Sequence, residues 1–269
     1  MQKLPNSSLK RILPITLFGL SLLPLTANAE SAEEKGLAIA IKADQLDTGW
    51  GDQTADLKMV LRNRHGQEST REIRSRTLEV EGDGDKSLSI FDDPRDVKGT
   101  AFLSFTHATK PDDQWLYLPA LKRVKRISSN NKSGPFMGSE FAYEDITSQE
   151  VEKYTYKYLR DEDLDGRPTF VLERYPAYKH SGYTRLVTWL DKEMYQPLKM
   201  EFYDRKESLL KTLVSSDYKQ YQGKFWRPGK MSMINHQTKK STDLFWSNYR
   251  FKTGLTDRDF DRNSLKRAR

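Results

Sequence analysis

Four histidines and no cysteine are the side chains from which this 269-residue chain could build a metal site or a nucleophilic centre. His65, His107, His180 and His236 stand far apart, without the short spacings by which one element holds a metal ion. The chain also has no GxSxG nucleophile motif, phosphate-binding loop or dinucleotide fingerprint. The sequence therefore predicts a protein that is not an enzyme and that binds no metal or cofactor, unless residues distant in sequence converge.

Two acidic groups are the remaining candidates for acid–base or calcium chemistry. Glu144 and Asp145 follow Tyr143, a position where carboxylates cap a helical turn. The acidic residues in the segment 161–165 lack the glycine and the distant glutamate of an EF-hand loop, which favours a solvated hairpin tip. We interpret both groups as structural, with a hydrolase that uses Glu144 or Asp145 as the alternative.

The first 29 residues have the pattern of an export signal. Three cations precede residue 12, an apolar stretch spans 12–25, and Ala27 and Ala29 occupy the positions that a signal peptidase reads. The stretch is shorter than the roughly 20 apolar residues of a membrane-spanning helix, so an uncleaved anchor is the less favoured alternative. We predict cleavage after Ala29, a periplasmic location, and a single mature domain over 30–269.

The charge of the mature domain does not favour nucleic acid as a partner. Loss of Lys3, Lys10 and Arg11 with the signal leaves a formal net charge of +4 from +7, and basic and acidic residues alternate along the chain.

The longest helical periodicity lies near the start of the mature domain. Ser31 and Glu34 form a capping-box pattern, and Leu37 and Ile41, with Ile39, Ala43 and Leu46, repeat at intervals of three and four.

Beyond Gly51 the period changes to two, and turn residues separate short runs of alternating polarity. These runs are 55–61, 72–80, 87–91, 99–106, 114–118, 122–127, 154–160, 169–174, 183–190, 196–203, 209–218, 230–237 and 242–251. About a dozen strands with short turns predict an antiparallel meander. A short C-terminal helix over 257–266 is predicted to follow and to place Phe260 and Leu265 against the sheet.

Several sequence blocks resemble the LolA-like outer-membrane lipoprotein-sorting proteins, in the branch that accompanies RND/MMPL-type transporters. The most specific block runs from Trp115 to Asp145 and contains Gly134-Pro135-Phe136-Met137-Gly138. Further blocks are Trp189-Leu190-Asp191, Pro197-Leu198-Lys199 and Trp226-Arg227-Pro228. The resemblance covers nearly all of the mature chain.

This resemblance implies a mainly β fold, an unclosed antiparallel barrel of about 11 strands with an N-terminal helix and short plug helices. It implies a carrier that binds lipid or lipoprotein acyl chains between the two membranes, with transient membrane contact and an inner-membrane RND/MMPL-type transporter as partner. The chain is longer than the founding LolA carriers, so the cargo is left open. The alternative is an envelope sensor or adaptor that uses the same half-barrel to regulate a protein partner.

Alternating apolar residues are candidates for the cavity lining. They are Leu57, Met59, Leu116, Leu118, Phe136, Met137, Leu198, Met200, Phe202, Met231 and Met233. Methionine suits a site for varied chains because it is flexible and polarizable. The alternative is a solid core. The loop around Phe136 and Met137 is predicted to be a mobile flap over the cavity mouth or a docking loop, and the alternative is a rigid loop packed on the sheet.

A short basic strand is the candidate partner surface. Lys122, Arg123, Lys125 and Arg126 flank Val124 and suit acidic transporter loops or lipid phosphates. The alternative is an edge strand whose charges block aggregation.

Overall fold

The computed structural model describes Met1 and residues 30–267. The proposed signal segment lies outside the described residues, apart from Met1. Of the described residues, 31–267 form one compact unit.

The N-terminal helix begins where the capping pattern predicts. α1 spans Ala32–Leu46. The Ser31 hydroxyl accepts the Glu34 N–H at 3.0 Å, and the Glu34 carboxylate accepts the Ser31 N–H at 2.8 Å. Both orphan donors at the helix start are therefore satisfied.

Fifteen strands follow among the described residues. They are β1 (Asp52–Arg62), β2 (Glu68–Leu78), β3 (Lys86–Asp93), β4 (Ala101–Phe105), β5 (Asp113–Leu118), β6 (Arg123–Ile127), β7 (Tyr154–Leu164), β8 (Arg167–Pro176), β9 (Tyr183–Asp191), β10 (Pro197–Asp204), β11 (Leu209–Ser216), β12 (Lys219–Tyr221), β13 (Phe225–Arg227), β14 (Lys230–Asn235) and β15 (Ser241–Phe251).

Thirteen of these strands form one antiparallel sheet in the order β6-β5-β4-β3-β2-β1-β15-β14-β11-β10-β9-β8-β7. Its edges are β6 and β7, which do not pair, so the barrel is not closed. β12 and β13 form a separate hairpin between β11 and β14. The predicted unclosed antiparallel barrel is confirmed, with more strands than the 11 that the resemblance implied.

The chain between the two edge strands, residues 128–153, crosses the concave face of the sheet. We call it the crossing segment. Its Glu140 N–H donates to Thr242 Oγ1 on β15 at 3.0 Å, and its Met137 carbonyl accepts a hydrogen bond from Arg71 on β2 at 2.6 Å. The segment therefore spans several strands and acts as a plug.

Two apolar clusters lie on opposite faces of the sheet. The larger one, on the concave face, includes Met59, Phe91, Phe102 and Met233 together with Phe136 of the crossing segment. On the convex face Leu88 and Ile90 pack against Phe260 and Leu265, each 1% exposed. The predicted C-terminal helix consists of two 3₁₀ segments, Asp257–Phe260 and Arg262–Arg267.

The buried face of α1 differs from the predicted one. Ile39 is buried, but Leu37 and Ile41 are 42% and 40% exposed. A small residue explains the difference, because Gly36 faces the backbone of β7. A Cβ atom at Gly36 would lie 2.8 Å from the Tyr158 nitrogen, so the helix turns its small side toward the sheet.

We expect Gly36→Ala to lower the free energy of unfolding by about 1–3 kcal/mol, because the added methyl overpacks the contact with β7. The control is Ala38→Gly at an exposed helical position, which should cost about 1 kcal/mol through helix propensity alone. Urea denaturation measures both. Since alanine is intrinsically the better helix former, a Gly36→Ala protein more stable than wild type would contradict the close contact.

Candidate functional site

Small side chains leave space on the concave face of the sheet. Ser75 on β2 lies opposite Ser89 on β3, and Thr77 lies opposite Ser87. On β1, Ala55 pairs with Ser75. Because strand side chains alternate between faces, these five small residues share one patch, and the four on β2 and β3 line a cavity there.

Two adjoining cavities occupy this space and the space beneath α1. The apolar cavity has a volume of about 410 Å³ and is lined by Leu57, Met59, Phe102 and Leu244 among others. The acidic cavity has a volume of about 840 Å³, and its walls include Ala40 and Ala43 of α1 with strands β7–β10. Both cavities share Asp47, Trp50, Asp85 and Gln196. Each volume lies in the range of roughly 300–1,000 Å³ that small-molecule sites occupy.

The structure brings five of the eleven predicted lining residues to the cavities. Leu57, Met59, Phe136 and Met231 line the apolar cavity, and Met200 lines the acidic cavity. Leu116, Leu118, Met137, Phe202 and Met233 belong to the concave apolar cluster but line neither cavity. For these five, the placement matches the solid-core alternative.

Leu198 lies apart from the other candidates. Although alternation along β10 predicts that it shares a face with Met200 and Phe202, the pairing of β10 with β9 shifts register between Pro197 and Lys199. Such an irregularity reverses the side-chain alternation at that point. Leu198 therefore lies beside Val214 in a separate surface groove.

The loop around Phe136 is packed as a plug. The Phe136 ring lies 5.2 Å from the Phe102 ring and 5.5 Å from the Tyr143 ring, and the residue is 3% exposed. Its N–H donates to the Phe141 carbonyl at 2.7 Å. This geometry matches the alternative of a rigid loop packed on the sheet.

Glu144 and Asp145 are buried anchors of the crossing segment, and Asp145 also caps the turn as predicted. The Glu144 carboxylate accepts hydrogen bonds from the Tyr178 and Ser181 hydroxyls and the Gly182 N–H, at 2.8–2.9 Å. Burial raises the pKa of Glu144. Asp145 also accepts the Ala142 N–H within the turn, but its principal partners come from distant strands. Sequence pattern gives no signal for such distant partners.

The basic strand occupies a sheet edge. Lys122, Arg123, Lys125 and Arg126 are exposed beside or on β6, and Arg126 forms an ion pair with Asp113. Charges on an exposed edge oppose pairing with another chain, and the same exposure leaves them accessible to a partner.

Carboxylates dominate the mouth of the acidic cavity. Eight acidic residues line this cavity. Arg174 is the one lysine, arginine or histidine in the same lining. The acidic residues are Asp44, Asp47, Glu79, Glu81, Asp83, Asp85, Glu150 and Glu152. Burial raises the pKa of Asp85 to about 6 and that of Glu150 to about 7. Neighbouring carboxylates reinforce both shifts.

We expect the double variant Asp85→Asn/Glu150→Gln to gain stability over wild type as the pH rises. The two native carboxyls bind protons more tightly in the folded than in the unfolded protein, so their contribution is complete below pH 4 and is lost through pH 6–7. The advantage of the variant should grow by about 2–3 kcal/mol for each of the two carboxyls between pH 4 and pH 8.

Urea denaturation across this pH range measures the difference. Asp83→Asn is the control, because the His107 hydrogen bond lowers the pKa of Asp83 to about 2 and its stabilising effect is constant above pH 5. A difference between double variant and wild type that does not change with pH would contradict the raised pKa values.

Within residues 30–267, no group of three or more histidine or acidic side chains is placed to hold a metal ion. No helix among the described residues is long and apolar enough to cross a membrane.

The chain is similar to proteins of known structure over most of its length. A protein-family model, described as an uncharacterized protein, matches residues 83–267. An outer membrane lipoprotein-sorting protein domain from Vibrio parahaemolyticus is 61% identical, with a TM-score of 0.86, and the match covers 87% of this chain and 99% of that one. A DUF1329 family protein from Desulfovibrio piger is 33% identical, with a TM-score of 0.83 and the same coverage.

A LolA superfamily protein from Nitrosomonas europaea shares the fold at 21% identity, with a TM-score of 0.68 over 87% of this chain and 99% of that one. No curated protein matches the chain.

Proposed function

Since the chain belongs to the DUF1329 family of LolA-like, lipoprotein-sorting proteins, we propose that it is a periplasmic carrier of lipid or lipoprotein acyl chains. It shelters the chains in the concave cavities of its unclosed barrel and changes no covalent bond. The observation that carries the proposal is the space left by the small side chains of β2 and β3, because a sheet used only as a scaffold would fill it.

The energetics of an acyl chain require such a space. Moving a chain of about 14 carbons into water costs roughly 11 kcal/mol, at about 0.8 kcal/mol per CH₂. A carrier offsets this cost with a cavity that excludes water. In the apolar cavity Leu57, Met59, Phe102 and Leu244 offer that surface.

Export and partner belong to the same proposal. The signal pattern of residues 1–29 supports delivery to the periplasm, with 30–269 as one mature carrier domain. There the carrier exchanges cargo with an inner-membrane RND/MMPL-type transporter and contacts membranes transiently. The cations of the β6 edge are the surface that meets acidic transporter loops.

Tryptophan at Ser75 or Ser89 tests the carrier function. Both side chains line the apolar cavity, so the indole fills space that an acyl chain needs. We expect at least a tenfold drop in lipid that co-purifies from the periplasm, measured by native mass spectrometry and by uptake of a fluorescent fatty acid. Ser247→Trp is the matched control, because Ser247 is exposed on β15.

Retention of lipid by the Ser75→Trp and Ser89→Trp proteins would place the cargo elsewhere. Absence of lipid from wild-type protein, together with no uptake of the fluorescent probe, would reject the carrier function.

A further inference from the structure

A guanidinium group without a carboxylate partner lies in the wall of the acidic cavity. Arg174 on β8 forms no ion pair within the described part of the chain, and its Nε atom is buried without a hydrogen-bond acceptor. Its Nη2 atom lies 3.8 Å from the Met200 sulfur, and its guanidinium lies 5.1 Å from the centre of the Tyr154 ring. An arginine presents five donors and is always charged, so these contacts leave most of its hydrogen-bonding capacity unused.

A second unsatisfied polar group lies on the neighbouring strand. Thr188 on β9 lines the same cavity, is 4% exposed, and its hydroxyl has no hydrogen-bond partner. Thr188 pairs with Met200 on β10 and with Leu172 on β8. The Arg174 side chain extends from β8 across β9 to Met200 on β10. Because Thr188 is the β9 residue that pairs with Met200, the guanidinium and the Thr188 hydroxyl lie near each other. Both groups are suited to an oxygen acceptor from a ligand.

Negative charge, opposite to that of Arg174, surrounds the entrance of this cavity. The carboxylate groups of Asp44, Glu150 and Glu152 have no hydrogen-bond or ion-pair partner among the described residues. They repel one another electrostatically, and Lys153 attracts Glu150. The carboxyl end of α1 adds partial negative charge at Asp44, and the last turn of the helix has no basic residue. If the anionic group of a ligand binds Arg174, the outer end of that ligand therefore lies among carboxylates.

We propose that the acidic cavity is a headgroup site for a zwitterionic aminophospholipid, with its phosphate at Arg174 and Thr188 and its ammonium group among Asp44, Glu150 and Glu152. The acyl chains extend into the adjoining apolar cavity. This inference rests on the proposed carrier function and specifies which lipid the same site prefers. Lipids with a net negative headgroup satisfy Arg174 but are repelled at the entrance.

Competition between two lipids that differ only in their headgroups tests this site. Delipidated mature protein is loaded with a fluorescent fatty acid, and phosphatidylethanolamine or phosphatidylglycerol of identical acyl composition then displaces it. We expect wild-type protein to bind the ethanolamine lipid about tenfold or more tightly than the glycerol lipid.

Three variants separate the contributions. Arg174→Met removes the charge-assisted hydrogen bonds and should weaken ethanolamine-lipid binding about 10- to 100-fold. Arg185→Met is the matched control on β9, because Arg185 forms an ion pair with Glu173 and lines neither cavity. Glu150→Gln/Glu152→Gln should abolish the preference between the two headgroups, and this ratio is independent of the fraction of protein that is folded.

The outcomes distinguish this inference from the carrier function. Equal binding of both lipids by wild type, unchanged in Arg174→Met, would overturn the headgroup site and leave the carrier intact. Failure of wild-type protein to bind the fatty acid or either lipid would reject the carrier itself.

Discussion

Lys211→Met should lower the free energy of unfolding by about 3–5 kcal/mol, the usual cost of leaving one member of a buried ion pair without its partner. Lys211 on β11 and Asp145 of the crossing segment each have side chains only 4% exposed, and their charged atoms lie 2.5 Å apart. Lys211 also donates to the Glu140 carbonyl at 3.0 Å. Its loss leaves the Asp145 carboxylate in an apolar environment, with the Tyr183 hydroxyl as its main remaining side-chain partner.

Urea denaturation of Lys211→Met and of a surface control measures this cost. Lys192 pairs with Asp161 at 2.7 Å, but the two side chains are 31% and 53% exposed. Lys192→Met should therefore change stability by less than about 1 kcal/mol.

A double-mutant cycle with Asp145→Asn separates the ion pair from packing. We expect Asp145→Asn to recover part of the stability lost in Lys211→Met, because the double variant buries no charge at this site. Strictly additive effects would show that the two side chains do not depend on each other.

The strands could be predicted because each one repeats its polarity with a period of two over several residues. All thirteen strands of the main sheet correspond to such runs, with ends that differ by a few residues. β12 and β13 have only three residues each, which is too short for a period to be visible. Alternating polarity within a strand does not show which other strands lie beside it. In this sheet most neighbouring strands are also consecutive in sequence, because the fold is a meander.

The cavity was predicted less well because its volume depends on the positions of small side chains. The sequence prediction selected large apolar side chains as its lining, whereas Ser75, Thr77, Ser87 and Ser89 create the space by not filling it. Alternate small residues on two consecutive strands are a pattern that the sequence does contain. The volume itself depends on which strands face each other and on where the crossing segment lies, and neither follows from local periodicity.

The acidic entrance illustrates the same limit. Its carboxylates come from α1, the β2–β3 connection and the crossing segment, which are separated by up to about a hundred residues. In the sequence each appears as an ordinary solvated charge. Only the tertiary structure brings them to one entrance opposite Arg174.

The second large expected effect is at Asp112, the acceptor that joins the two ends of the crossing segment. Lys153 forms a hydrogen-bonded ion pair with Asp112, and the Lys132 ammonium lies 3.8 Å from its other oxygen. The three side chains are only 6–10% exposed. Asp112→Asn removes the nearest counter-charge of two buried cations and should cost about 3–5 kcal/mol at pH 7.

The pH dependence of this cost identifies its origin. Burial lowers the pKa of Lys132, so the folded protein releases that proton more readily than the unfolded chain does, and stability rises with pH in the window between the two values. The penalty of Asp112→Asn should therefore shrink as the pH rises from 7 toward the ordinary lysine pKa, because Lys132 loses its proton before a lysine of the unfolded chain does.

The neighbouring Asp113 gives the matched control. Its partner Arg126 is 68% exposed, so Asp113→Asn should cost less than about 1 kcal/mol. A penalty at Asp112 that is equal at pH 7 and pH 10 would mean that the variant loses packing and not charge balance. Relief of the penalty at high pH would show that electrostatic attraction to Asp112 fixes Lys132, and with it the start of the crossing segment, in its buried position.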